Sequence, residues 1–201
     1  MTTIIGVIFV FTHMVSSANG SFNASVIYGG STELSVKSFT LCNQNHEIIY
    51  TKENIDLNTF YISNSGTVFA LNEQKLFFYY SNGEEKLLKD LNYPNGADFE
   101  PDHSLFFVSD KDGIFTYSDN GKIKYTFNPG RLFSSLQKGS IVAIISNDTL
   151  SIYYDGVRKF ERKLLTPYAR SIVFSTDAKS IIIEEPSLIE VFDSPAGQEL
   201  K

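Results

Sequence analysis

Polar and apolar positions alternate along this chain in short runs, and the runs come in groups. The segment Gly113–Lys122 is the clearest case: alternating and aromatic residues lead into Asp119-Asn120-Gly121. The same shape recurs at Lys75–Gly83, Thr149–Gly156 and Leu188–Gly197, with terminal glycines 38, 35 and 41 residues apart. Alternation with a period of two is the mark of a half-buried strand. Asn, Asp and Gly after each run supply the positive φ that a tight two-residue hairpin needs. No stretch carries a 3.6-residue period, so the pattern predicts strands and no helix.

In order, short strands are expected at Ser25–Tyr28, Leu34–Leu41 and Glu47–Lys52. This first unit, about 25–56, reads as partial, its first strand missing or irregular. Four regular units follow, at about 57–95, 96–130, 131–168 and 169–201. Their strands are Thr59–Ile62, Gly66–Leu71, Lys75–Tyr80 and Glu85–Leu91; then Ala97–Glu100, Ser104–Ser109, Gly113–Ser118 and Lys122–Phe127. Next come Arg131–Leu136, Ser140–Ser146, Thr149–Tyr154 and Arg158–Leu165. The last unit has Arg170–Ser175, Ser180–Glu185, Leu188–Asp193 and a short strand from Gln198. Pro94, Pro129 and Pro167 fall between units, where a residue without an N–H does least harm to a ladder.

Four antiparallel strands repeating near forty residues are the sequence sign of a β-propeller blade. Phe174-Ser175-Thr176-Asp177-Ala178-Lys179 resembles the Phe-Ser-Pro-Asp-Gly-Lys segment of WD-repeat and YVTN-type blades, and Phe99-Glu100-Pro101-Asp102 is a second copy. Phe192-Asp193 stands where the Trp-Asp pair ends the third strand, and Tyr80, Tyr117 and Tyr154 lie near that place elsewhere. The chain has no Trp and no Gly-His opening its units, so the WD hydrogen-bond network is absent. The resemblance is to a divergent propeller of the WD-repeat, YVTN or quinoprotein-like kind. It implies an all-β fold with about four blades plus a partial one, either a fragment or a small open propeller with further blades elsewhere.

The start of the chain permits three readings. Ile4–Met14 is apolar, Ser16-Ser17-Ala18 are small, and Asn19-Gly20-Ser21 are polar. That order fits a signal peptide over 1–18, although Met1-Thr2-Thr3 brings no Lys or Arg. The same residues are strongly β-prone and fit a buried first strand. A membrane anchor is the third reading; the run is short for a span. Sequons stand at Asn19, Asn23 and Asn147, and they matter only in a secreted eukaryotic protein.

Composition changes the picture little. A net charge of −6 argues against a nucleic-acid partner, since phosphate binding needs a basic face. Cys42 is the single cysteine, so no internal disulfide exists, and His46 is the nearest candidate base to it. Asp110, Asp112 and Asp119, with Asn120, are the candidate metal ligands, since neighbouring turns can present oxygens to Ca²⁺; turns also favour these residues for their own sake. Ser109–Gly113 is similar to the sialidase Asp-box, with the acidic residue one place late and no Trp. Glu184, Glu185 and Glu190 could pair for acid–base work, but read more simply as a solvated hairpin rim. His13, His46 and His103 are too scattered for a metal triad. Arg158 and Lys159–Leu165 form the most basic stretch, expected to guard a sheet edge. No catalytic residue and no cofactor is implied.

The resemblance implies a non-catalytic module that binds a protein or surface polymer with its loops, in the periplasm or outside the cell. The alternatives are a piece of a propeller enzyme (a hydrolase, lyase or quinoprotein-type dehydrogenase) and a cytoplasmic scaffold, the last requiring the apolar start to be a strand.

Overall fold

The computed structural model describes residues 9–30, 33–92, 96–100, 105–130, 132–136, 141–166, 168–175 and 179–193. They form nineteen strands, β1 to β19, and no helix. The strands fall into five sheets, each hydrogen-bonded in chain order: β1–β4, β5–β8, β9–β12, β13–β16 and β17–β19. By packing, the chain divides into two compact units, residues 1–107 with 117–122, and residues 108–116 with 123–201.

The first sheet corrects the expectation of a partial unit. Phe9–Ser16 is β1, and all eight of its residues pair antiparallel with β2, Phe22–Gly30, in an unbroken register from Phe9↔Gly30 to Ser16↔Asn23. β3 (Ser35–Asn43) and β4 (Ile48–Leu57) complete four strands. The missing first strand therefore lies within the range 1–18 expected as a leader; residues 1–8 of that range are outside the described residues. In the last sheet β17 (Ser171–Phe174), β18 (Ser180–Glu184) and β19 (Ile189–Asp193) are described. The strand expected from Gln198, the Gly197 turn and Thr176–Ala178 fall outside.

Burial follows the order of strands within a sheet. The second strands are enclosed on both faces: β6 (Val68–Leu71), β10 (Leu105–Asp110) and β14 (Ile141–Ser146) are buried along nearly their whole length. Such strands must read as continuous apolar runs rather than alternation. The fourth strands are the reverse. β8 (Glu85–Asp90), β12 (Ile123–Phe127) and β16 (Val157–Lys163) are mostly exposed, and β8 and β16 are rich in charged residues, which blunts their open edges. Arg158 and Lys159 take that place.

In the first unit Ala24, Val26, Phe39 and Leu41 of the first sheet pack with Phe60, Ile62, Val68 and Ala70 of the second. Phe39 meets Phe60 and Tyr79 edge-on, at 4.9 and 5.4 Å between ring centres. Phe69 stacks on Phe106 at 5.1 Å and meets the edge of Phe78 at 4.4 Å. These offset and edge contacts add to the area they bury. In the second unit the core is aliphatic: Ile141, Ala143, Ile145 and Ile152 against Ile172, Ile181 and Ile183.

The hairpins differ from the two-residue turns expected. Of the third turns among the described residues, Asp155-Gly156, with φ of 46° and 79° and Tyr154 paired to Val157, is one of these; Asn147-Asp148, between paired Ser146 and Thr149, is another two-residue loop, at a second turn. At 81–83 and 119–121 the loop has three residues with glycine last. The Tyr80 N–H donates to the Glu84 carbonyl and the Gly83 N–H to the Tyr80 carbonyl, both at 2.8 Å; Ser118, Gly121 and Lys122 repeat the arrangement. The glycine takes the left-handed position that forms a bulge. At 44–46 the same place holds His46, at φ 63°, its N–H donating to the Asn43 carbonyl. His46 is thus a turn residue, and no hydrogen bond links it to half-buried Cys42 in β3.

An aromatic ring sits over several of these turns. Tyr80 donates to the Asn120 carbonyl at 3.2 Å, and a methyl group on Gly121 would fall 2.6 Å from the Tyr80 hydroxyl. Tyr125 donates to Asp155 at 3.1 Å, and a methyl on Gly156 would fall 2.8 Å from its ring. Phe22 lies as tightly over Gly66.

Two substitutions should act in opposite directions. Gly121→Ala puts a side chain into left-handed backbone and against Tyr80, and should cost about 1–2 kcal/mol or more. His46→Gly relieves the same backbone strain where the turn is open, and should add about 0.5–1 kcal/mol. Urea unfolding measures both; a neutral Gly121→Ala would show that the turn geometry is not under constraint.

Candidate functional site: a polar cleft and a buried carboxyl pair

The first unit holds an open cleft of about 580 Å³. Three loop regions far apart in sequence build it. Gly30, Glu33, Ser35 and Lys37 come from the β2–β3 connection and the start of β3. Asp56 and Asn58 come from the β4–β5 junction, and Asn72, Glu73, Gln74 and Lys75 from the β6–β7 turn.

Two of the walls are held by hydrogen bonds of their own. The Asn72 side-chain oxygen accepts from the N–H of Gln74 at 3.1 Å and of Lys75 at 2.7 Å, an Asx turn that fixes the loop. The Gln74 carbonyl accepts from the Leu91 N–H at 2.6 Å, and the Asn58 N–H donates to the Leu71 carbonyl at 2.7 Å. Within the first sheet, on neighbouring strands β3 and β4, Lys37 Nζ stands 2.9 Å from Asp56 Oδ1. The Lys37 ammonium, and after it the Ser35 hydroxyl, hold the Asp56 carboxyl below the usual carboxylate range. Both side chains are exposed, so the pair contributes little to stability. It is available to a ligand. The lining offers both charge signs and amide donors and acceptors, the chemistry of hydrogen-bonded recognition.

The candidate metal ligands are not brought together. Asp110 ends β10 and is fully buried; its Oδ1 accepts from the N–H of Asp112 at 2.8 Å and of Gly113 at 3.2 Å. Its carboxylate folds the turn. Asp112 is exposed. Asp119 follows the far end of β11, Gly113–Ser118, in the 119–121 loop. Among the described residues no group of three or more His, Cys, Asp or Glu is placed to hold a metal ion.

The carboxylates read as a solvated rim are the larger correction. Glu184 is exposed, but Glu185 and Glu190 are only 4 % and 8 % exposed. Glu185 follows β18 and Glu190 lies within β19. Thr166 donates its hydroxyl to Glu185 Oε2, while Glu185 Oε1 is buried with no partner. Glu190 Oε1 accepts from the Leu165 N–H at 2.9 Å. Burial pushes the Glu190 carboxyl above its ordinary range. The neighbouring Glu185 carboxyl adds to that, against the Leu165 N–H and the Arg162 guanidinium. Two close carboxyls in a desolvated place favour a shared proton over two charges.

No protein-family model matches the chain, and no curated protein matches it. Solved structures do. Hsv2 from Kluyveromyces marxianus is 12 % identical over 90 % of this chain and 71 % of its own, with a TM-score of 0.57. Hsv2 from Kluyveromyces lactis is 12 % identical over 94 % and 77 %, with a TM-score of 0.58. An Hsv2 variant with loop 6CD replaced by a Gly-Ser linker is also 12 % identical, over 91 % and 78 %, at 0.55. At such identity the likeness speaks for the fold. The chain is an all-β protein with the β-propeller fold.

The carboxyl pair carries a pH dependence. A carboxyl whose native pKa is raised holds its proton more tightly folded than unfolded. Stability should therefore fall as pH rises from the ordinary Glu range through the raised Glu190 value. Glu185→Gln removes the like charge and should lessen that fall. Urea midpoints for both proteins between pH 4.5 and 8 test this; parallel profiles would mean that Glu185 does not act on Glu190.

Proposed function

We propose that this chain is a non-catalytic β-propeller module that binds a partner protein, seating a polar, extended segment of it in the Lys37–Asp56 cleft. The observation that carries the reading is the cleft itself. Segments of two packed sheets, with the 72–75 turn and Asn58 fixed by hydrogen bonds, converge on an open polar hollow with an accessible ion pair. Loops on a rigid β scaffold are where such modules place recognition. Among the described residues, no helix is long and apolar enough to cross a membrane.

Where the module works depends on its start. The pairing of all of Phe9–Ser16 with β2 supports the reading of this segment as a strand; the compartment, periplasmic or secreted against cytoplasmic, turns on whether it is cleaved. Mass and amino-terminal sequence of protein from its native source decide this. A chain beginning at Asn19 means export.

Peptide display against the intact chain tests the binding site. Selected peptides should lose at least tenfold in affinity when Lys37→Glu reverses one end of the ion pair, with the unfolding midpoint nearly unchanged. No enrichment, or peptides indifferent to Lys37→Glu, would remove the cleft from consideration.

A further inference from the structure

The connection from β16 to β17 is anchored at both ends. Leu164 and Ala169 are buried, and the Leu164 and Arg170 N–H groups donate to the Asp148 and Glu184 carbonyls, both at 2.7 Å. Between these anchors Leu165 and Tyr168 are 75 % and 67 % exposed, so their own side chains do not hold it. Hydrogen bonds to the buried carboxyls do. The Leu165 N–H donates to Glu190 Oε1 and the Thr166 hydroxyl to Glu185 Oε2. The Tyr168 N–H donates in turn to Thr166 Oγ1 at 3.3 Å.

The two carboxyls are not supported alike. Glu190 receives the Leu165 N–H and feels the Arg162 guanidinium, which lies over the Phe192 ring at 4.8 Å. Glu185 has the Thr166 hydroxyl on one oxygen and no partner for the other. The remaining charges nearby are engaged elsewhere or exposed. Lys163 pairs with Asp148 at 3.1 Å, exposed Glu184 accepts from the Ser171 hydroxyl at 3.1 Å, and Arg170 is exposed. The core on which β17–β19 pack is aliphatic. A hydrogen held between the carboxyls gives Glu185 Oε1 its partner; without it, two buried charges stand together with too few donors. We propose that a proton shared by Glu185 and Glu190 latches the β16–β17 connection, and that its loss to solvent turns Glu185 outward and frees Thr166. Glu190 stays, because the Leu165 N–H and Arg162 support its charge. The latch lies in the second unit and does not depend on the cleft.

Nuclear magnetic resonance of the intact chain tests this. Side-chain couplings should show Thr166 in one χ1 rotamer at pH 4.5 and averaged over several at pH 8. The Leu164 and Arg170 amides should stay protected throughout. The carboxyl-carbon signals of Glu185 and Glu190 should move over the same pH interval, as in a coupled pair. Glu185→Gln should keep Thr166 fixed at every pH, since its amide accepts from Thr166 and donates to Glu190 with no proton to lose. Should that variant not fold, Glu190→Gln makes the same test from the other side. The proposal is overturned if Thr166 stays fixed in the wild type at pH 8, or if it is released in the Gln variant as well. Closure of the wild type at pH 8 by added CaCl2 also overturns it, since the pair would then hold a cation rather than a proton.

Discussion

Much of the structure rests on covering both faces of the second strands β6, β10 and β14. β14, Ile-Val-Ala-Ile-Ile-Ser, is apolar on either side, and one sheet alone can shield neither side fully. On one face the cover comes from Ile172, Ile181 and Ile183 of the last sheet, which takes aliphatic area of both sheets out of water. The charged fourth strands β8 and β16 guard the sheet edge.

Aromatic rings over the hairpin turns add position to this packing. Aliphatic faces alone slide over one another with little penalty. Tyr80 over the Gly121 turn and Tyr125 over Asp155-Gly156 each fix a strand of one sheet against one turn of the next. They combine a ring contact with a directed hydrogen bond, which packing of Ile on Ile cannot supply. Between the first two sheets the corresponding contact is Phe22 over Gly66. There the segments that carry Lys37, Asp56 and Asn72 converge without any local signal that they should.

Buried polar groups show the same dependence on context. Asp110 is buried, yet its carboxylate receives two backbone N–H groups, as a buried charge requires. Glu185 and Glu190 are buried with fewer donors, and one oxygen has none. The first completes a turn. The second is a buried pair beside Thr166, Leu165 and Arg162, in which burial raises the Glu190 carboxyl above its ordinary range.

Local chemistry alone determined the strands, their grouping and the turns between them, because a period of two and the Asn, Asp and Gly punctuation act over a few residues. That the chain is all-β was readable from Gly113–Lys122 and its recurrences. Tertiary structure decided which phase of an alternation turns inward. In β19 Ile189 and Val191 look like the core side, but Glu190 and Phe192 are buried and the aliphatic pair faces out. It also pairs Phe9–Ser16, part of a stretch whose sequence fits a leader or a buried strand, with β2. Three segments up to forty-five residues apart meet in the cleft, Gly30 to Lys75, and no local pattern encodes their meeting. The physical reason is one. Side-chain alternation fixes that a strand has two faces, and only the sheets packed on either side fix what each face meets.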